Sequence, residues 1–256
     1  MSNPPIQTVG KLFEVIALLD QLDGASMTEV STRLGMSTST ASDYLISLKR
    51  TGYVIQGDDG YELSTKFLEV GGRVKHRKRL FQAAKSELAT LAEISGELAC
   101  LTIEERGYSV ILHMEAGDQA HHFGGFPGMR TPLHSHAGGK VILAYLERHT
   151  VEDIIKERGL IQRTRKTITD KEELFDQLEQ IQQDGYAIDY DEQVDGMAIV
   201  AAPILVEDGS DIAGAISAVL PTRRVLNEGK TDRLIDAVLE AANVAAINYR
   251  YGRRRD

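Results

Sequence analysis

Residues 27–63 read MTEVSTRLGMSTSTASDYLISLKRTGYVIQGDDGYEL, and the order of signals in this stretch decides the fold. Thr28 stands where a short helix over 29–34 needs a cap, and Gly35 supplies a left-handed stop for it. Ser37 caps a second helix running to about residue 50, in which Ala41, Tyr44, Leu45 and Leu48 recur at helical spacing and make one face apolar. The other face carries Thr38, Ser39, Thr40, Ser42, Asp43 and Ser47. Gly52 ends this helix. Tyr53-Val54-Ile55 and Tyr61-Glu62-Leu63 then flank Gly57-Asp58-Asp59-Gly60, which is the pattern of a hairpin. An amphipathic helix with Leu12, Val15, Ile16, Leu19 and Leu22 on one side precedes the unit and braces it. Helix, tight turn, helix and hairpin make a winged helix-turn-helix, which lays its second helix in the DNA major groove. The expected DNA-contacting residues are Thr28, Ser37, Thr38, Ser39, Thr40, Ser42, Asp43, Ser47, Lys49 and Arg50. Small donors and acceptors suit base edges and phosphates. Such folds also serve protein contacts, but a plain solvated face has no use for so many hydroxyls.

The chain has 256 residues, enough for two domains, and is 42% hydrophobic and 26% charged, an ordinary globular composition. No apolar run approaches the roughly 20 residues that span a bilayer, and MSNPPIQTV has no leader pattern. The single cysteine, Cys100, excludes an internal disulfide; its neighbours Leu98, Ala99 and Leu101 mark a buried strand. A cytoplasmic protein without membrane contact is expected. The net charge of −9 looks wrong for a DNA-binding chain, but residues 1–80 hold ten Lys/Arg against nine Asp/Glu, so they carry +1 and the remainder −10. Arg73, Lys75, Arg77, Lys78 and Arg79 fall within seven residues and suit either nearby phosphates or a solvated linker face.

Residues 73 to about 95 read as one long helix with Leu80, Ala84, Leu88 and Leu91 on its buried stripe, broken by Gly96. The expected division is therefore a DNA-binding domain over 1–72, a linker helix over 73–95 and an effector-binding domain over 96–256. In the last, apolar strands over 98–103 and 108–113 surround a turn at 104–107, and a glycine-rich loop occupies 124–128. A helix covers 137–146. Thr150 and Thr169 begin two more, each with an acid three residues on, the capping-box spacing. Strands over 199–206 and 212–220 are split by a polar turn at 207–211, and a final amphipathic helix carries Leu234, Val238, Ala241 and Ala245. Hairpin strands with helices between them indicate an α/β (α+β) domain with a mainly antiparallel sheet. The tail Arg253-Arg254-Arg255 is expected to face solvent.

Three blocks resemble the IclR family of transcriptional regulators over nearly the whole chain. They are GMSTSTASDYLISLKRTGYV at 35–54, GMRTPLHSHAGGKVILAYL at 128–146, and GYAIDYDEQVDGMAIVAAPI at 185–204 followed by IAGAISAVLP. The second matches the family's P-L-H-x-x-A-x-G-K segment. The resemblance implies a winged helix, a linker helix and a GAF-like effector domain, in dimers or tetramers on palindromic double-stranded operators. It also implies an effector pocket built on Phe123, Thr131, Ala137, Gly138, Gly139, Asp189, Ile199, Ser217 and Val219. Asp189 and Ser217 match polar pocket positions; Ile199 stands where the family commonly has cysteine and Val219 where it has serine. An effector with an apolar or aromatic body is expected. Asp43 replaces a usual basic residue; it either accepts from cytosine N4 or faces outward.

Ala137-Gly138-Gly139 at a helix start offers free amides and a positive dipole end to an anion, so the expected effector is an organic acid. The segment lacks the residues of a Walker A loop. His113, His121, His122, His134 and His136 lie within 24 residues, and the pair at 134 and 136 offers two ligands to a metal or two hydrogen-bonding rings to the core. With no cysteine and no acid at close spacing, no metal, cofactor or catalytic residue is expected. Asp189, Asp191, Glu192 and His134 hold the alternative of an enzyme, but no nucleophile motif accompanies them. The sequence thus points to a ligand-responsive, sequence-specific DNA-binding regulator; an enzyme or a metal-binding sensor on the α/β domain is the alternative.

Overall fold

The computed structural model describes residues 4–206, 211–225 and 228–252. The chain divides into two compact units, Met1–Val74 and Lys75–Asp256. The polar turn at 207–210 and the basic tail at 253–255 lie outside the described residues.

The first unit opens with α1 (Gln7–Leu22), α2 (Met27–Arg33) and α3 (Thr38–Arg50), followed by the hairpin β1 (Val54–Gln56) and β2 (Tyr61–Leu63). Val15 and Leu19 of α1, Val30 of α2, Ala41, Leu45 and Leu48 of α3 and Val54 of β1 form one buried cluster. The apolar spacing read from the sequence is therefore the core of the unit. The cap of α2 differs from expectation: Ser26, not Thr28, is the N-cap, and its hydroxyl accepts the Glu29 amide at 3.2 Å. Thr28 lies one residue inside the helix, where an amide that needs a side-chain acceptor is no longer within its reach. The hairpin is stitched to the segment before α2, because Ala25 and Tyr61 exchange backbone hydrogen bonds of 3.0 and 2.9 Å. A side chain at Gly60 (φ +143°) would place its Cβ 2.5 Å from the Ala25 carbonyl oxygen, so this approach requires glycine.

The single helix expected over 73–95 is corrected to two, α4 (Lys66–Arg77) and α5 (Arg79–Ser95). Lys78 between them is extended (φ −68°, ψ 117°). Their packing differs in kind. Within α4 no residue is buried, whereas α5 buries Leu80, Phe81, Ala84, Leu88 and Leu91 against the sheet of the second unit.

The second unit continues with β3 (Leu98–Glu105), β4 (Tyr108–Ala116), β5 (Arg130–Pro132), α6 (Ala137–Ala144), α7 (Arg148–Arg158) and α8 (Lys171–Asp184). It ends with β6 (Ala187–Tyr190), β7 (Met197–Val206), β8 (Asp211–Pro221), α9 (Thr222–Val225) and α10 (Glu228–Tyr251). Six strands form one antiparallel sheet in the order β5-β4-β3-β8-β7-β6. One face packs against α5 and α10 and the other against α6 and α8, so the long strands are apolar on both faces. The capping boxes at Thr150 and Thr169 are not used. Residue 150 lies inside α7, which begins earlier as Arg148 stacks on the Phe175 ring at 4.1 Å. At α8 the adjacent Asp170 caps instead, its Oδ1 accepting both the Glu172 and Glu173 amides at 2.9 Å.

Replacing Ser26 by Ala removes the observed cap, so hydrogen exchange of the α2 amides is expected to quicken about fivefold, the worth of one N-cap bond. Thr28→Ala leaves that exchange within about twofold of the parent.

Candidate functional site

In α3 the buried stripe leaves the opposite side to solvent, with Ser39, Asp43, Ile46, Ser47, Lys49 and Arg50 exposed. Several hydroxyls expected to meet DNA are occupied within the helix itself. Ser37 Oγ accepts the Thr40 amide at 3.2 Å and lies 2.9 and 2.8 Å from the Ser39 and Thr40 hydroxyls. Ser47 Oγ donates to the Asp43 carbonyl at 2.6 Å. Lys49 Nζ donates to Gln56 Oε1 of the hairpin at 2.8 Å. The side chains of Thr38, Ser42, Asp43 and Arg50 make no hydrogen bond among the described residues. Ile46, absent from the expected contacts because it is apolar, stands in the middle of this face.

The effector positions converge in the second unit, on the sheet face covered by α6. Registered neighbours share a face in an antiparallel sheet. Asp189 pairs with Ile199, Ile199 with Val219, and Val219 with Leu98, so they form one row; Ser217 sits in the next row between Ala201 and Cys100. The amino end of α6 meets that row, and the Ala137 amide donates to Asp189 Oδ2 at 2.7 Å. Asp189 is only 1% exposed, and its Oδ1 is buried without a hydrogen-bond partner within bonding distance among the described residues. Burial, then the nearby Glu192 charge, raises its pKa to about 7, against the Ala137 amide, the Lys140 charge and the Glu192 amide, which favour the carboxylate.

The two glycines of α6 differ. A Cβ on Gly139 would lie 2.1 Å from the Leu133 carbonyl oxygen, so this glycine serves the packing of the helix on the preceding turn. A Cβ on Gly138 would meet nothing nearer than the His136 ring at 3.4 Å and Thr102 Oγ1 at 3.8 Å. The Thr131 hydroxyl is engaged elsewhere and lies 3.2 Å from His136 Nε2. Phe123 is half-buried against the same core cluster. Thr131, Ala137, Asp189, Ile199, Ser217 and Val219 are all buried, so the site is closed. A cleft of about 980 Å³ elsewhere in the unit, lined by Arg79, Tyr145 and Tyr249 among others, contains none of the expected effector residues.

His136 caps α6, its Nδ1 accepting the Gly139 amide at 3.3 Å, which leaves the ring proton on Nε2, 3.0 Å from the Ser109 hydroxyl. Burial, then the Lys140 charge, lowers its pKa to about 3, so the ring is neutral. His134 Nε2 reaches the Ile161 carbonyl at 3.1 Å. Each of the two rings therefore has a protein partner. Lys140 and Glu192, both buried, form an ion pair that sequence reasoning missed, because the partners lie 52 residues apart. Thr167 Oγ1 donates to the Glu192 carbonyl at 2.6 Å and accepts the Arg163 and Thr164 amides, holding the 160–170 loop over the end of β6. Cys100 is a buried strand residue whose thiol burial pushes up to about 12.

The family model described as the IclR helix-turn-helix domain matches residues 8–58, and that described as the bacterial transcriptional regulator IclR C-terminal matches residues 72–246. The transcriptional regulator KdgR of Dickeya chrysanthemi is 30% identical over 242 residues, covering 94% of this chain and 79% of that protein. The probable regulator ArcR of Halobacterium salinarum is 29% identical, covering 94% and 93%. The crystal structure of the Thermotoga maritima IclR superposes with a TM-score of 0.79 at 27% identity, covering 96% of this chain and all of that one.

A carboxyl raised to about 7 holds a proton in the folded chain that the unfolded chain releases near pH 4, so its contribution to stability is lost as pH rises from about 4 to 7. Asp189→Asn keeps an acceptor for the Ala137 amide and carries no charge. Its stability relative to the parent is expected to climb through that window, by up to about 4 kcal/mol, and to level off above pH 8. Denaturant unfolding at several pH values checks this, and a flat difference means an ordinary carboxyl.

Proposed function

This chain belongs to the IclR family of bacterial transcriptional regulators, and we propose that it couples a small organic acid, held at the buried amino end of α6, to binding of a palindromic operator. The observation that carries the effector reading is Asp189 Oδ1, a buried oxygen without a partner beside a helix amino terminus. A group left so costs stability unless another state of the protein satisfies it. A ligand carboxylate arriving there meets the Asp189 carboxyl, and two carboxylates at close range do not both stay ionised. Asp189, already raised to about 7, takes up a proton and donates from Oδ1 to the ligand. Gly138 lets the ligand approach the helix backbone, and Ile199, Val219 and Phe123 supply the apolar wall that an aliphatic or aromatic body fills.

The DNA-binding helix-turn-helix is the other half of the mechanism. Thr38, Ser42, Asp43 and Arg50 have free side chains on the outer face of α3 and are the contacts with base edges and phosphates. Ser37, Ser39, Thr40 and Ser47 bond within α3 and Lys49 ties it to the hairpin; these residues and Thr28 are left to meet the phosphate backbone. Two copies of the chain, in a dimer or a pair of dimers, read the two halves of the operator in the cytoplasm. The effector shifts the population of geometries in which both recognition helices fit. The coupling is reciprocal, so operator DNA changes effector affinity by the same factor.

An organic acid found by thermal-shift screening is expected, in calorimetry at pH 8 with two buffers of different ionisation enthalpy, to bind with uptake of about one proton per site. Asp189→Asn abolishes the uptake and Gly138→Leu the binding. Tight binding without uptake, and unchanged by Gly138→Leu, places the acid elsewhere.

A further inference from the structure

We infer that Ile46 reads the 5-methyl group of a thymine, so the operator carries a thymine at a fixed position in each half-site. The inference rests on the reading above, in which α3 is the groove-facing helix. Ala41, Leu45 and Leu48 of α3 are all but fully buried in the unit. At 100° per residue, Ile46 points roughly 130° away from the centre of that stripe. It is 39% exposed. Asp43 precedes it by three residues and Ser42 by four; Lys49 follows by three and Arg50 by four. It is therefore the centre of a file of side chains on one helix face, and the one member of that file without a polar atom.

A β-branched aliphatic residue is a poor choice for an exposed helix position with no packing to do. The major groove gives it work. Among the groups by which base pairs are told apart there, the thymine methyl is the apolar one and the rest are hydrogen-bond donors or acceptors. An isoleucine pressed against any other edge would strip water from a polar group and return nothing. Pressed against the methyl, it buries apolar surface on both sides. Its neighbours sharpen the choice: Lys49 is tied to Gln56 of the hairpin and Ser47 to its own helix, which leaves Ser42, Asp43 and Arg50 to bracket Ile46 with polar contacts.

The test uses the full chain and duplexes enriched by it from a randomised pool. Each thymine of the enriched core is replaced singly by deoxyuridine, which removes the methyl and nothing else. One replacement per half-site is expected to weaken binding about fourfold, the worth of one buried methyl group. Ile46→Ala binds the thymine and uracil duplexes equally, whereas Ile46→Val keeps the preference. Indifference of the parent to every uracil, or a thymine preference that survives Ile46→Ala, overturns the inference and leaves DNA binding standing. Enrichment of no duplex at low salt overturns the groove-facing reading of α3, and this inference with it.

Discussion

The amino terminus of α6 ends inside the protein, and its free amides must find acceptors there without water. Two residues do this from different directions. Asp189 comes from β6, 52 positions along the chain, and takes the Ala137 amide; His136 folds back from the preceding residue and takes the Gly139 amide. Both arrangements fix neighbours in turn. The neutral ring of His136 is steered by Ser109 and Thr131, the helix is pressed onto the turn before it where only Gly139 fits, and Lys140 one residue further is buried with Glu192. Breaking one partner of that pair would leave a buried charge uncompensated, so the segment around β6 is locked to α6. The cap is thus the hub on which α6, β6 and the 160–170 loop agree.

A cap made by a carboxylate differs from one made by a hydroxyl, because the acceptor carries a charge that burial disfavours. Asp189 uses one oxygen and leaves the other unpaired, so the closed state carries a stored cost. On the proposed reading, a ligand acid that shares the proton of Asp189 would relieve that cost and offset part of the energy needed to open the site. Ile199 and Val219, both buried and apolar, make the rest of the row a dry wall, which strengthens any hydrogen bond made beside it.

The helix-turn-helix was legible because its signals are local. Periodicity placed α3, Ser37 capped it, and glycines bounded the hairpin. Failures came where two local signals competed or none was present. Ser26 and Thr28 both suit a cap, and the structure uses the earlier one. At α8 Asp170 caps in place of the adjacent Thr169. The break at Lys78 has no glycine or proline to announce it; what changes across it is burial, absent in α4 and continuous in α5, which shows only in three dimensions. As a pocket residue, Asp189 stood out in the sequence through the family resemblance alone. Its register with Ile199 and its reach to Ala137 depend on β6, a four-residue strand too short for its alternation to show.

Electrostatics sets the terms on which this chain meets DNA. With a net charge of −9, −3 in the first unit and −6 in the second, the protein gains little from the general pull of a basic surface on phosphates. On the exposed face of α3 the cations are Lys49 and Arg50, and the first is held by Gln56. Weak phosphate attraction lowers affinity for every sequence alike, so it leaves the ratio between right and wrong sites to the base contacts. On the proposed reading, small hydroxyls, a carboxylate and an isoleucine would each contribute modestly to that ratio, and each would lose its contribution when the base beneath it changes. A reader built this way gives up non-specific affinity and keeps discrimination. In the proposed dimer both half-sites would have to be engaged together for useful binding, the condition under which a small shift in dimer geometry has a large effect on operator affinity.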